Sequence, residues 1–281
     1  MKRFAILPVV AAFVALVSCV QNATPRAAAD PPVDAPLGML ATGGAGDQEW
    51  GTIKGRVVWA GDSIPEPEKL DTSKEPKCVA KDGGPVMSDK WLINPKNKGV
   101  RYVCVWLRTE EDNGKLPIHP DLAKIADKDK EVVVDQPCCM FEPHGLALRT
   151  GQVLVAKNSS ELGHNVDWSG IKQEGGNTLV PPGGKLVIDK MKVTGYPIKI
   201  SCGIHPWMKG WVWMFDHPYY AVTDADGNFE IKNAPVGKFR IVAWHDEAGW
   251  RNQETLKKGD TIEIKPGVND VGSLEIKPRK Q

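Results

Sequence analysis

The chain has 281 residues, enough for a sizeable core and about two domains, and its 36 basic residues are balanced by 35 acidic ones. So even a balance leaves no basic field of the kind that draws nucleic acid, and no nucleic-acid partner is expected. The 22 prolines and 28 glycines punctuate short runs of alternating apolar residues, which points to an all-β chain.

Residues 1–19 begin with Lys2 and Arg3, continue with an apolar stretch to Val17 and end in Leu16-Val17-Ser18-Cys19, the pattern of a secretory signal. Residues 20–50 are rich in Ala, Pro, Gly and Asp, carry no periodicity and hold too few large apolar side chains for a core, so they read as a flexible tether. A strand comes next over 51–59, closed by the turn signal Ala60-Gly61-Asp62. Residues 64–75 are Pro-rich, charged and irregular, and 99–107 form an inner strand. After a loop or short helix over 117–128 come strands at 131–135 and 152–157, separated by the shaped segment from Pro137 to His144.

The chemistry is concentrated between residues 163 and 208. Gly163-His164-Asn165-Val166 opens an alternating stretch, Pro182-Gly183-Gly184 turns the chain, and the strand over 198–201 runs into Cys202-Gly203-Ile204-His205-Pro206-Trp207-Met208. One tight turn thus carries a thiol, an imidazole and a thioether, and His164 supplies a second imidazole from upstream. Two nitrogens, a thiolate and a weak axial thioether are the donor set of a blue-copper electron-transfer centre. Soft sulfur favours Cu(I), imidazole accepts Cu(II), and a rigid frame keeps one geometry for both, so the metal ligands expected for one type 1 copper ion are His164, Cys202, His205 and Met208. The ring edge of His205 is expected at the surface beside an apolar patch with Trp207. His144 is a candidate additional ligand, with ordinary hydrogen-bonded structure as its alternative; His119, His217 and His245 are assigned no metal role.

Beyond the aromatic strand at 211–213, Asp226-Gly227 is a hairpin signal between two strand patterns. Further strands are expected at 238–245, 260–265 and 271–276. Of the six cysteines, Cys19 and Cys202 have other roles, which leaves Cys78, Cys104, Cys138 and Cys139. Cys78 and Cys139 are the favoured disulfide pair, with Cys138 as the alternative partner; closing that loop stabilises by roughly 4 kcal/mol on the chain-entropy model. Cys104, in a strongly apolar run, is expected to be a buried thiol.

Three resemblances extend these readings. The His-Asn-Val element at 164–166 with Cys202, His205 and Met208 makes residues 152–215 resemble a cupredoxin of the amicyanin and plastocyanin type, departing at Gly163 where those relatives usually have Pro. This implies a Greek-key β-sandwich and a role for Asn165 in tying the two ligand loops together. Residues 219–277, with Thr223-Asp224-Ala225-Asp226-Gly227-Asn228-Phe229 and Pro235-Val236-Gly237, resemble the carboxypeptidase regulatory-like domain, a small prealbumin-like sandwich. The end of the leader resembles a bacterial lipobox, which implies lipid on Cys19; an ordinary signal cleaved near Ala23 or Ala27 is the alternative. The combination is similar to bacterial lipoproteins of the methylamine-utilisation type.

The expected organisation is therefore a signal over 1–19, a tether over 20–50, a cupredoxin domain over 51–215 with an extended front half, and the second sandwich over 216–281. The strand at 51–58 also fits the G-x-I-x-G-x-V opening of the second family, so its pairing with that module is left open. The expected function is extracytoplasmic single-electron transfer between redox proteins, from the periplasm or cell envelope, with a membrane partner through the lipid on Cys19. The alternative is a non-redox copper-binding or delivery protein that uses the C-terminal sandwich for attachment. No enzyme activity is expected.

Overall fold

Alternating apolar residues become strands throughout the computed structural model, which describes residues 48–112 and 114–279. The signal, the tether up to residue 47 and Cys19 lie outside the described residues. In chain order the strands are β1 (Trp50–Trp59), β2 (Cys104–Arg108), β3 (Glu131–Val134), β4 (Gly145–Arg149), β5 (Val153–Lys157), β6 (His164–Gly170), β7 (Gln173–Val180) and β8 (Lys185–Ile188). They continue with β9 (Ile198–Ser201), β10 (Lys209–Phe215), β11 (Tyr220–Val222), β12 (Asn228–Pro235), β13 (Gly237–His245), β14 (Gly249–Trp250), β15 (Asp260–Ile264) and β16 (Gly267–Ile276). The described residues are all-β apart from a one-turn helix at Pro120–Ala123 and two 3-10 turns. Among the described residues no helix is long and apolar enough to cross a membrane.

Two sandwiches result. In the first, the five-stranded sheet β4-β10-β9-β6-β7 faces the three-stranded sheet β3-β5-β8. Leu146, Leu154, Val166, Ile188, Ile200 and Val212 meet between them. In the second, β12-β1-β16 faces β11-β2-β13-β14, with β15 also on β13. Ile53, Val57, Val105, Leu107, Phe229 and Ile241 fill that core.

The pairing decides the open question of the strand at 51–58 and moves the inner strand at 99–107 out of the first sandwich, where it was expected. β1 runs antiparallel to β12 and parallel to β16, and β2 lies between β11 and β13, so both early strands are built into the C-terminal sandwich. The reason is visible in β2. Val103, Val105 and Leu107 point into one core while Cys104 and Trp106 point the other way into a second apolar layer. A strand greasy on both faces needs cover on both, and the centre of the second sandwich provides it.

That second layer is the seam between the sandwiches. β10 alternates, with Val212 and Met214 facing the first core and Trp213 and Phe215 facing outward onto Trp106 and Trp244. Ring centroids stand 4.5 Å apart for Trp106 and Trp213, 5.4 Å for Trp213 and Trp244, and 5.2 Å for Trp211 and Trp244, in tilted or edge-on arrangements. Such geometry suits the ring quadrupoles, and each large ring removes much apolar area from water. The Asp226-Gly227 turn joins β11 to β12 across the two facing sheets instead of forming the expected hairpin, and close approach pins it: Gly227 has φ +77, and a Cβ on it would strike the Val57 carbonyl.

The seam sets an expectation for stability. Trp213→Ala should lower unfolding free energy by about 3–5 kcal/mol, as for other buried Trp truncations. A urea midpoint that falls accordingly, with an unchanged transition slope, is the expected measurement.

Candidate metal centre

The sheet order brings the candidate ligands His164, Cys202 and His205 to one end of the first sandwich. β9 lies between β6 and β10, with Ser201 opposite both Asp167 and Lys209. The loop joining β9 to β10 therefore emerges beside the start of β6, where His164 stands. Within the loop the Met208 amide donates to the His205 carbonyl at 2.9 Å, and the Cys202 amide donates to the Met208 carbonyl at 3.2 Å. These bonds fold the loop back on itself between Cys202 and Met208.

Nδ1 of His164 and Nδ1 of His205 stand 2.9 Å apart, and Cys202 Sγ lies 3.6 Å from the latter. Donor atoms of His164, Cys202 and His205 all fall within 4.8 Å of one another. Met208, on the same loop, is fully buried at 0% exposure. Asn165 holds the two segments together: its Oδ1 accepts from the Gly203 amide at 2.8 Å and the Ile204 amide at 3.3 Å, and stands 3.3 Å from Cys202 Sγ. Its own amide donates to Asn177 Oδ1 at 2.8 Å. Burial, reinforced by the neighbouring His205, lowers His164 to about 4, and burial lowers His205 as well. Both rings are therefore neutral near pH 7 and have lone pairs to offer.

One expectation is overturned. His205 has no ring edge at the surface, being only 1% exposed. The Cys78–Cys139 disulfide covers it: both sulfurs lie within 4.8 Å of a ring nitrogen of His205, and Trp207 Nε1 donates to the Cys139 carbonyl at 3.1 Å. What reaches the surface from the loop is Ile204, 48% exposed, with Pro206 beside it. The cysteine pair was legible in the sequence, but its place over the imidazole was not, because 61 residues separate the two sulfurs and no local pattern says where the loop lands.

His144 is likewise placed elsewhere, which corrects its candidacy as a ligand. Its Nδ1 pairs with Asp89 at 2.8 Å and its Nε2 with Asp246 at 3.1 Å, so neither nitrogen is available to the centre. Burial opposes a charge on this ring, yet the hydrogen bonds to Asp246 and Asp89 prevail and raise it to about 10. Asp246 also meets His245, whose ring stacks on Trp91 with centroids 4.4 Å apart. Asp89 and Asp246 were missed in the sequence because the partners stand 55 and 102 residues from His144. His217 accepts from the Tyr219 amide and His119 from the Asp121 amide, both in local turns. Cys104 is a buried thiol at the seam, pushed well up by burial, and Cys138 is free.

Comparison with known proteins locates a partial likeness. A purple cupredoxin from Nitrosopumilus maritimus is 17% identical over 29% of this chain and 97% of its own, at a TM-score of 0.26. A Cu(I) form of an amicyanin variant is 20% identical over 31% of this chain and 83% of its own, and a reduced amicyanin variant is 20% identical over 39% and 97%, both at a TM-score of 0.28. No family model and no curated protein matches the chain.

The clamp on His144 yields a pH dependence with a definite sign. A folded value near 10 against 6.5 unfolded means the native state holds the extra proton, so the stabilisation is fully present below 6.5 and is lost as pH rises towards 10. His144→Gln should cost about 3–5 kcal/mol at pH 6, as expected for a broken buried ion pair. The gap in melting temperature between wild type and variant should narrow steadily towards pH 10.

Proposed function

We propose that the chain is a type 1 copper protein that carries single electrons outside the cytoplasm. The observation that carries this reading is the convergence of His164 Nδ1, His205 Nδ1 and Cys202 Sγ in a buried space, with Met208 buried on the same loop. The donors fit the metal: two neutral imidazoles and one sulfur form a trigonal set, and a thioether suits the weak axial position. Copper bound there would supply one-electron cycling between Cu(I) and Cu(II).

The chain's own part is to keep the set unchanged between the two states. Asn165 fixes the loop by three contacts, and outer-shell partners of this kind hold ligands in orientation. Burial excludes water and keeps the imidazoles free of protons. The disulfide supports residence in an oxidising compartment. With the basic, apolar leader ending at Cys19, this favours the periplasm or cell envelope and attachment through lipid on that residue. The partner is a redox protein that meets the exposed Ile204 and Pro206; small, transient contacts suffice for such exchange.

One observation favours a second reading, copper storage or delivery at the same residues. His205 is covered, so an electron must cross the cap to reach a partner, whereas slow exchange is no disadvantage for a store. The two readings separate on kinetics: a carrier keeps its metal through many redox cycles, and a delivery protein yields it to an acceptor. Copper-loaded protein should show the intense visible absorption of thiolate-bound copper and a reversible one-electron wave. Cys202→Ala should abolish both while preserving the far-ultraviolet circular dichroism, and His144→Gln should retain the colour. Colour that survives Cys202→Ala rules the assignment out.

A further inference from the structure

His205 has two nitrogens and two sulfur environments. Nδ1 faces His164 and Cys202, while Nε2 is buried with no hydrogen-bond partner among the described residues. A solvent-excluded polar atom without a partner is costly and calls for an explanation. On the other side of the loop, Cys78 Sγ, Cys139 Sγ and a nitrogen of His205 lie within 4.8 Å of one another, all three residues buried. Coordination bonds of about 2.3 Å put neighbouring donors roughly 4 Å apart, so once the sulfur–sulfur bond opens, only a small parting of the sulfurs makes room for an ion.

We propose that Cys78, Cys139 and Nε2 of His205 form a second metal site, present only when the disulfide is reduced, that takes the soft monovalent ion Cu(I). Two thiolates and an imidazole match that ion's preference for soft donors in low coordination number. The site shares His205 with the blue-copper reading through the ring's other nitrogen, while Cys202, His164 and Met208 take no part in it. An external dithiol supplies the two electrons and two protons: the Cys78–Cys139 bond breaks, two thiols form and the donor closes its own disulfide. Cu(I) then replaces both thiol protons, which pass to water, and the Nε2 lone pair completes the set. No electron is left over, and copper keeps its oxidation state.

The cap has other ties that keep the three groups in place once the bond is cut. The Cys78 amide donates to Glu75 at 2.8 Å, Trp207 Nε1 holds the Cys139 carbonyl at 3.1 Å, and Lys81 pairs with Glu142 at 2.6 Å. Asp135 and Glu142 exchange both backbone hydrogen bonds at 2.8 Å, closing the far end of the Cys139 loop. The disulfide therefore acts as a removable cover whose two halves stay over the imidazole.

The test uses the full chain with Cys202→Ala, in three forms: disulfide intact, reduced by a dithiol that is then removed, and additionally Cys78→Ser with Cys139→Ser. The last form retains every other thiol and so measures background. In competition with a chromogenic Cu(I) chelator, the reduced form should take up one more Cu(I) per chain than either of the others. X-ray absorption should find two sulfurs and one nitrogen around that ion. Adding His205→Ala should remove the nitrogen and weaken binding by about tenfold or more, at least the loss seen when mere outer partners of a metal are removed. Equal uptake by all three forms overturns the proposal. So does unchanged affinity without His205, a third sulfur from Cys138 in place of the nitrogen, or loss of the β-sheet dichroism on reduction. Failure of the blue-copper assignment shows separately, in the colour of the disulfide-intact wild type.

Discussion

A single carbonyl oxygen, Oδ1 of Asn165, receives the Gly203 and Ile204 amides and stands beside Cys202 Sγ. It joins a loop between β9 and β10 to the first residues of β6, so the imidazole before Asn165 and the sulfur before Gly203 are fixed relative to each other. Neighbouring amides from a short loop that would otherwise be left unsatisfied in a partly buried place make this bond hard to give up. Every property argued for the centre, from the short Nδ1 separation to the exclusion of water, presupposes that link.

The frame behind the link is packed on both faces. β10 leaves the ligand loop and is at once clamped on both faces, by Val212 and Met214 within and by Trp213 and Phe215 without. His144 stands just before β4, the parallel neighbour of β10, and its carbonyl accepts the Trp211 amide at 2.8 Å. Its ring, held between Asp89 and Asp246, ties that edge to the turn after β13 in the other sandwich. Packing and a buried ion pair thus act on the same few residues, so the second module is part of the support on which the centre rests.

The sequence disclosed what local chemistry can write. His164, Cys202 and His205 lie within one loop and one strand start, so their approach was legible from spacing, whereas counting thiols left Cys138 open beside Cys139 as the partner of Cys78. The alternation in β9 and the Asp226-Gly227 turn likewise announced themselves. What stayed hidden was set by long separations. β2 reads as an inner strand, but nothing in its apolar run says that its mates are β11 and β13. The same holds for the imidazole of His144, which only the assembled fold brings to two carboxylates, and for the cover over His205, which converts an expected surface group into an interior one.

The position of β1 has a consequence for how the chain matures. Gly51 pairs with Gly267 and Trp59 with Ile276, so the first described strand stays without its parallel mate until residues 267–276 have been synthesised. The strands of the first sandwich, from β3 to β10, are by contrast contiguous in the chain, and even their widest pairing, β4 with β10, spans far less of it. Loop-closure entropy and slow parallel pairing at great separation both favour the contiguous unit as the earlier to form. The second sandwich then condenses around it, with the seam of tryptophans as the surface on which the late strands assemble.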